Sequence, residues 1–314
     1  MKDGSLRILV LGAGGTGGYF GGRLAQAGID VSFLVRPARA AVLRERGLHI
    51  RSPLGDADVH VEVTTADALA DVAPFDLVLL SCKAYDLDSA MDAIAPAVAS
   101  GAAVLPLLNG LRHYEALDAR FGFDKILGGL CFISATLGAD GEILHLGKPA
   151  SMTFGERTGQ SPDTRLQALA AACTQAGIDH AHTPDIAQAQ WVKYSFLTAL
   201  AAGTCLMRAS IGEIVAGEDG VAFMAGLHDE CLAIAAASGQ PIPAAAQASA
   251  RDTLTAAGSP MKASMLRDLE SGQRVEAAHI VGDMVHRAHA HGVDVPRLQA
   301  AWVHLQAYEA QRAA

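Results

Sequence analysis

Lys193 stands in the segment QAQWVKYSFLTAL, the only lysine of a long and mostly apolar stretch, beside Trp191, Val192, Tyr194 and Phe196. An ammonium held among such groups is desolvated, which lowers its pKa and suits it to act as a general acid near neutral pH. The same side chain could instead carry its amine out to water along an apolar stem. A second candidate is Glu276, in SGQRVEAAHIVGDMV, with Asp268 and Glu270 on the helix before it. Most acidic residues on helices are solvated surface, and spacing alone does not separate that reading from a role in chemistry. His286, His289 and His291 cluster on one helix with His279 two turns back. No cysteine or carboxylate set completes a metal site around them, so no metal is expected. No Ser-His-Asp or G-x-S-x-G arrangement is visible.

A third constellation lies at the start of the chain, in LRILVLGAGGTGGYFGGRLAQAG. An apolar run from Leu6 to Leu11 leads into G-x-G-x-x-G at Gly12, Gly14 and Gly17, with Gly15 and Thr16 between, and Tyr19 to Ala27 reads as helix. Strand, tight turn and helix in that order can bind a dinucleotide. Gly12 lets the backbone turn sharply, Gly14 lets a pyrophosphate approach the main chain, and Gly17 lets the helix pack close to the strand. The helix N-terminus offers unpaired N–H groups and a dipole that favours an anion. Gly18, Gly21 and Gly22 follow, each less favourable in a helix than alanine by about 1 kcal/mol. They leave a second reading open: a glycine-rich helix packed tightly on a sheet, with no ligand.

The elements that would carry these groups alternate. Asp30 to Val35 is a second strand, ending in Arg36 with Arg39 close behind. An acidic residue at that point would bind a ribose 2′-hydroxyl; a cation suits a 2′-phosphate, so NADP(H) is favoured over NAD(H), unless Arg36 is simply a surface residue. Leu48 to Val63 reads as a β-excursion around Pro53-Leu54-Gly55-Asp56. Phe75 to Ser81 is a continuous apolar run of buried-strand type, followed by Cys82-Lys83-Ala84-Tyr85 and a helix to about Val98. Ala102 to Leu108 is the next strand and closes on Asn109-Gly110. Such alternation means a mainly parallel sheet with crossover helices, a Rossmann-type α/β domain. The glycine loop, Arg36, Lys83 and Asn109 then all fall at strand carboxyl ends, where ligands bind in such sheets. Lys83 reads equally well as a cofactor-side cation or a solvent-facing lysine, and Asn109 as a cofactor contact or an ordinary turn residue.

Lys125 to Phe154 has the alternation of an antiparallel hairpin about Gly138-Ala-Asp-Gly141, expected to extend the sheet. Pro162 to Ala176 is helical, and a short strand over Ile178–His182 completes the domain. From Pro184 onward the pattern is helical, with loops at 217–220, 239–243 and 258–260. The expected division is residues 1–183, binding NADP, and residues 184–314, an all-helical substrate and catalytic domain.

With 314 residues, 51% of them hydrophobic, the chain can build two sizeable cores. A net charge of −9 argues against nucleic-acid binding. No apolar run is expected to reach bilayer length. The first apolar segment ends in the glycine loop, which is not the form of a signal peptide. The five cysteines are dispersed, with no CxxC, as in reduced thiols of a cytoplasmic protein. The apolar C-terminal helices suit either a homodimer or the core of the second domain.

Taken in order, GAGGTGG, LVR, CKAYD, LLNGL, WVKYSF, SMLRDLESG, VEAAHIVG and AHAHGVDVP resemble the ketopantoate reductase (2-dehydropantoate 2-reductase) family over nearly the whole chain. The late block from Ser264 to Pro296 and the lysine helix are more specific than the glycine loop. The resemblance implies a Rossmann-type domain, a helical domain, and NADPH-dependent reduction of a 2-oxo acid in a cleft that closes on it. By position, Lys193 matches the catalytic lysine and Glu276 the acidic residue that assists it. Asn109 matches an asparagine near nicotinamide and substrate, Lys83 a cofactor-side lysine, Arg36 the reader of the 2′-phosphate, and Ser264 a substrate contact. Where family members carry asparagines one and two turns after the lysine, this chain has Leu197 and Ala201, and Met261 stands where some carry asparagine. The pocket beside Lys193 is therefore expected to be more apolar, which leaves ketopantoate and a more apolar 2-oxo acid both open as substrate.

Overall fold

The computed structural model describes residues 6–72 and 74–313. The chain forms two compact units, one of Met1–Leu108 with His113–Ile186, the other of Asn109–Arg112 with Ala187–Ala314.

The first unit runs β1 (Arg7–Leu11), α1 (Gly15–Gln26), β2 (Asp30–Leu34), α2 (Pro37–Arg46), β3 (Leu48–Arg51), β4 (Ala57–Val59), β5 (Glu62–Thr64), β6 (Leu77–Leu80), α3 (Leu87–Ala99), β7 (Ala103–Pro106), α4 (His113–Phe121), β8 (Gly128–Leu137), β9 (Ile143–Gly155), α5 (Thr164–Gln175) and β10 (Asp179–His182). Five of these strands make one sheet in the order β5-β2-β1-β6-β7, every pair parallel. Residues of β1, β6 and β7 are buried on both faces, as their unbroken apolar runs require. The chain winds outward from β1 through β2 to β5, then returns to β6 on the other side of β1. Loops leaving β1 and β6 therefore diverge, and a crevice at such a reversal is where open α/β sheets take ligands.

The other five strands form a second sheet, in the order β10-β9-β3-β4 with β8 on β9. The β8–β9 hairpin thus does not extend the parallel sheet, as its alternation led one to expect; the β-excursion and the last short strand pair with it instead. The physical reason lies in α1, which packs on both sheets. A Cβ on Gly21 would meet Phe33 and Val10 of the parallel sheet at 2.8–2.9 Å, and one on Gly17 would meet Gly12 O at 2.6 Å. On another side of the helix, a Cβ on Gly22 would meet Leu48 at 2.6 Å and Ile50 at 2.9 Å, and Gly18 abuts Ile143. Glycines four apart share a helix face, so 17/21 serve one sheet and 18/22 the other. Tight packing accounts for these four glycines without a ligand.

The second unit holds α6 (Ile186–Met207), all but its first residue, then α7 (Ile211–Val215), α8 (Gly220–Ala237), α9 (Ala244–Leu254), α10 (Ser264–Glu270), α11 (Asp283–His291), reached through a π-helical turn at Ala278–Gly282, and α12 (Pro296–Ala313). No strand lies among its described residues. Against expectation, one helix, α8, is long and apolar enough to cross a membrane. Its apolar content serves the unit's core, where Met224, Leu227, Cys231 and Ile234 are fully buried. Its buried Glu230 accepts from Arg297 N (3.1 Å) and Leu298 N (2.9 Å), capping α12.

Replacing Gly15 by alanine would favour the helix by about 1 kcal/mol but bring a Cβ to 2.5 Å from Ala135 O and 2.7 Å from its carbonyl carbon. Backbone cannot rotate away, so denaturant unfolding of Gly15→Ala should show a net loss of about 1–3 kcal/mol. Unchanged stability would mean the hairpin yields at no cost.

Candidate active site

Gly12 follows β1 with φ +86°, a region open to glycine, and its N–H donates to Leu34 O at 2.9 Å, turning the chain across the end of β2. Gly14 is the N-cap of α1, with no side-chain cap and no acidic residue in the first turn. A Cβ on Gly14 would meet nothing within 4 Å. Unlike its neighbours Gly15 and Gly17, it is spared a side chain by no contact within the chain, so the space before the helix N-terminus fits an incoming group. Ser81 Oγ, just beyond β6, donates to Leu11 O at 3.1 Å and lies against Gly17. The carboxyl ends of β1 and β6 are thereby tied side by side.

Arg36 is exposed at the N-cap of α2, directly after β2, and no carboxylate stands at that strand end. Lys83 is exposed at the start of a 3₁₀ turn after β6. Arg39, one turn into α2, is half-buried: its Nη2 donates to Gly141 O at 2.7 Å and to Ala13 O at 3.4 Å. Burial lowers its pKa from the usual guanidinium value. The residues predicted for a dinucleotide thus gather at the carboxyl ends of β1, β2 and β6. Asn109, soon after β7, belongs with the helical unit, in Asn109–Arg112.

In that unit Lys193 is buried, 9% exposed, and its Nζ donates to Asn109 Oδ1 at 2.9 Å. Asn109 is held for this by the next residue. Gly110 has φ +79°, and a Cβ there would lie 2.5 Å from His279 O, so only glycine lets the turn press on that backbone. Glu276, also 9% exposed, starts the same segment, its carbonyl accepting from His279 N (3.1 Å) and Ile280 N (3.2 Å). The structure therefore joins Lys193 to Asn109 directly and seats their turn on the helix that Glu276 begins.

Tyr194 points the other way from its neighbour. Its hydroxyl donates to Asp283 Oδ2 at 2.8 Å, with Ile280 O also in reach at 2.9 Å. Arg287 Nε donates to the same Asp283 oxygen at 2.8 Å, and its guanidinium lies 5.6 Å over the Trp191 ring. Burial, then the Asp283 charge, push the Tyr194 pKa well up, so the phenol stays protonated. This clamp fixes α6 to the π-helical turn, and π-turns recur at functional sites. Sequence reading passed over it, though an Asp and an Arg four apart on one helix were a usable signal.

Ser264 is exposed at the first position of α10. Its neighbour Ala263 donates to Thr204 Oγ1 at 3.4 Å, about three turns of α6 beyond the lysine. Leu197, one turn from Lys193, is half-buried; Ala201 is 1% exposed and Met261 37%.

A parallel sheet with a glycine loop at its switch point and a helical unit with a buried amine define an oxidoreductase of the two-domain, dinucleotide-dependent type. The comparisons identify which. The family described as Ketopantoate reductase PanE/ApbA matches residues 8–159, and its C-terminal counterpart matches residues 185–309. The chain belongs to the ketopantoate reductase family. It is 36% identical to the uncharacterized oxidoreductase YkpB of Bacillus subtilis (strain 168), over 98% of this chain and 100% of that one. The 2-dehydropantoate 2-reductase from Geobacter metallireducens GS-15 superimposes with a TM-score of 0.86 at 31% identity, covering 96% of this chain and 99% of that one. The fold is shared as well with a D-mandelate dehydrogenase solved with NADH and anilino(oxo)acetate, at a TM-score of 0.86 and 19% identity, covering 98% of this chain and 100% of that one.

Tyr194→Phe keeps the ring and leaves Asp283 buried with one donor fewer. Unfolding measurements should show a loss of about 1–3 kcal/mol; a neutral result would mean the clamp holds nothing.

Proposed function

We propose that this protein reduces a 2-oxo acid to the 2-hydroxy acid with NADPH, 2-dehydropantoate to pantoate being the first substrate to test. The observation that carries the reading is the buried Lys193 amine, bonded to Asn109 and set beside the segment that Glu276 begins. NADPH supplies the hydride when bound. Lys193 holds the carbonyl oxygen as negative charge grows on it and delivers the proton. Asn109 Oδ1, which accepts from Lys193 Nζ at 2.9 Å, aims the ammonium. Glu276 orients Lys193 or holds a substrate hydroxyl, and Ser264 bonds the far end of the acid. Gly12, Gly14, Gly15, Thr16 and Gly17 present main chain to the pyrophosphate. Arg36 reads the 2′-phosphate and Lys83 neutralises phosphate charge. The five cysteines are all free thiols, which supports a reducing, cytoplasmic setting.

A second reading has its own observation. Leu197, half-buried one turn from Lys193, puts hydrocarbon on the face that the amine shares. A side chain without an amide discriminates poorly for a substrate hydroxyl, so a more apolar 2-oxo acid is the alternative substrate. NADPH oxidation across a panel of 2-oxo acids that includes ketopantoate separates the two; no turnover with any of them would leave a non-catalytic NADP(H)-binding protein.

Lys193→Ala should cut turnover with the best substrate by about 10²–10⁴-fold while NADPH affinity stays near that of the parent; near-normal turnover would remove Lys193 from the chemistry. Arg36→Ala should weaken NADPH by about tenfold or more, as loss of a charge-assisted phosphate contact implies, and leave NADH nearly unchanged. Equal losses for both cofactors would remove the 2′-phosphate assignment.

A further inference from the structure

Two arginines follow β2, and the structure gives them different work. Arg36 is exposed at a helix start. Arg39 is committed to main chain: Nη2 holds Gly141 O, in the turn of the β8–β9 hairpin, at 2.7 Å, and makes a longer bond of 3.4 Å to Ala13 O, inside the glycine loop. Its Nε is sealed from solvent and has no partner, so no phosphate can reach that side of the guanidinium. The same hairpin touches the loop a second time. Between Ile133 and Ala135 the β8–β9 register shifts, and the Ala135 backbone lies where a Gly15 Cβ would be, 2.5 Å from its oxygen. Bulges of this kind re-aim a strand beside functional sites.

We propose that Arg39 is a positioning residue that sets the Gly14 N–H for a dinucleotide pyrophosphate, with the β8–β9 hairpin as its anchor. The inference rests on the nucleotide-binding reading given above. Its physical basis is the planar peptide. In a trans peptide the carbonyl of one residue and the N–H of the next point in opposite directions. Holding Ala13 O on the arginine therefore turns the Gly14 N–H away from that arginine, at a residue whose Cβ would meet nothing within 4 Å. The α-helix makes no use of Ala13 O for its first bond, which Gly18 N–H directs to Gly14 O at 2.7 Å. The carbonyl is thus available to the arginine, and a guanidinium is a strong enough donor to hold it. Its charge beside the helix N-terminus also favours an anion there. Withdrawal from water lowers the Arg39 pKa, as expected of a cation that serves backbone and not solvent.

The test is equilibrium binding of NADPH, NADH and adenosine 2′-monophosphate to the full-length protein. The last probe carries the 2′-phosphate but no pyrophosphate. Arg39→Met, which keeps the apolar stem, should weaken NADPH and NADH by one common factor of about tenfold, and change 2′-AMP by less than about twofold. Arg36→Ala should do the reverse, weakening NADPH and 2′-AMP and sparing NADH. Selective loss of NADPH and 2′-AMP in Arg39→Met would make it a phosphate reader and overturn the proposal, as would three unchanged affinities. Should that variant not fold, Arg39→Lys decides: a shorter side chain without the planar guanidinium fork holds the two carbonyls less well, so smaller but equal losses for NADPH and NADH support the role, and parental affinity for both overturns it. Failure of the parent protein to bind NADPH or NADH is a separate result that ends the nucleotide-binding reading itself.

Discussion

The first unit depends on one helix packing against two sheets at distances that a methyl group would forbid. Gly17 and Gly21 admit the parallel sheet, Gly18 and Gly22 the second one, and Gly15 the β8 backbone at Ala135, where the β8–β9 register shifts. Each glycine weakens α1 as a helix by about 1 kcal/mol, and the close contacts they permit offset that through dense packing. Because α1 is braced from both sides, its N-terminus is fixed in direction, with Ser81 tying β1 to β6 beneath it. A helix N-terminus is an anion site only if it points one way, so the packing constraint and the binding function share a cause. Gly14 is the exception that marks the ligand's side, since nothing in the chain crowds it.

The second unit is governed by a different contact. Gly110 carries the Asn109 turn onto the His279 carbonyl, and Tyr194 carries α6 onto the same π-helical turn through Ile280 O and onto Asp283 at the start of α11. Lys193 and Tyr194 are adjacent on α6 yet face different partners, because successive helix residues are rotated by about 100°. One buried side chain anchors the helix and the next presents an amine to Asn109. Burying that lysine is tolerable because its charge is hydrogen-bonded. The clamp behind it is likewise satisfied, with Asp283 taking bonds from both Tyr194 and Arg287.

Much of this was legible in the residues. A glycine cluster between an apolar run and a helix, and cations where strands end, depend on local rules that sequence states openly; so did the helical character of everything after Pro184. What stayed hidden depends on pairing at a distance. The β8–β9 hairpin is visible as alternation, but nothing in its pattern tells which sheet it joins. The glycines of α1 mark close approach without naming the neighbour. Arg39 reads as a second phosphate cation until its guanidinium is seen on Ala13 and Gly141. Asn109 sits at the end of a strand in sequence, yet packs with the helical unit, because a positive-φ glycine turns the chain there. The length and apolar content of α8 met the requirement for a bilayer, although they fill a core.

The two halves of the candidate chemistry consequently differ in how tightly the fold constrains them. The proposed nucleotide recognition rests on main chain: N–H groups at a helix start, a glycine that must turn, glycines that must be approached. Altering it means altering the packing of α1 on both sheets. In the proposed reading, substrate recognition falls to side chains one and two turns along α6, at Leu197 and Ala201, and at α10. A leucine or an asparagine at position 197 leaves the helix, the clamp and the Lys193–Asn109 bond as they are, since that position is only half-buried and takes no part in the hydrogen bonds that hold α6. Membership of the ketopantoate reductase family therefore speaks for the chemistry at Lys193 much more strongly than for the acid that fills the space beside it. In the proposed reading the substrate is decided by a few side chains that the architecture leaves free to change.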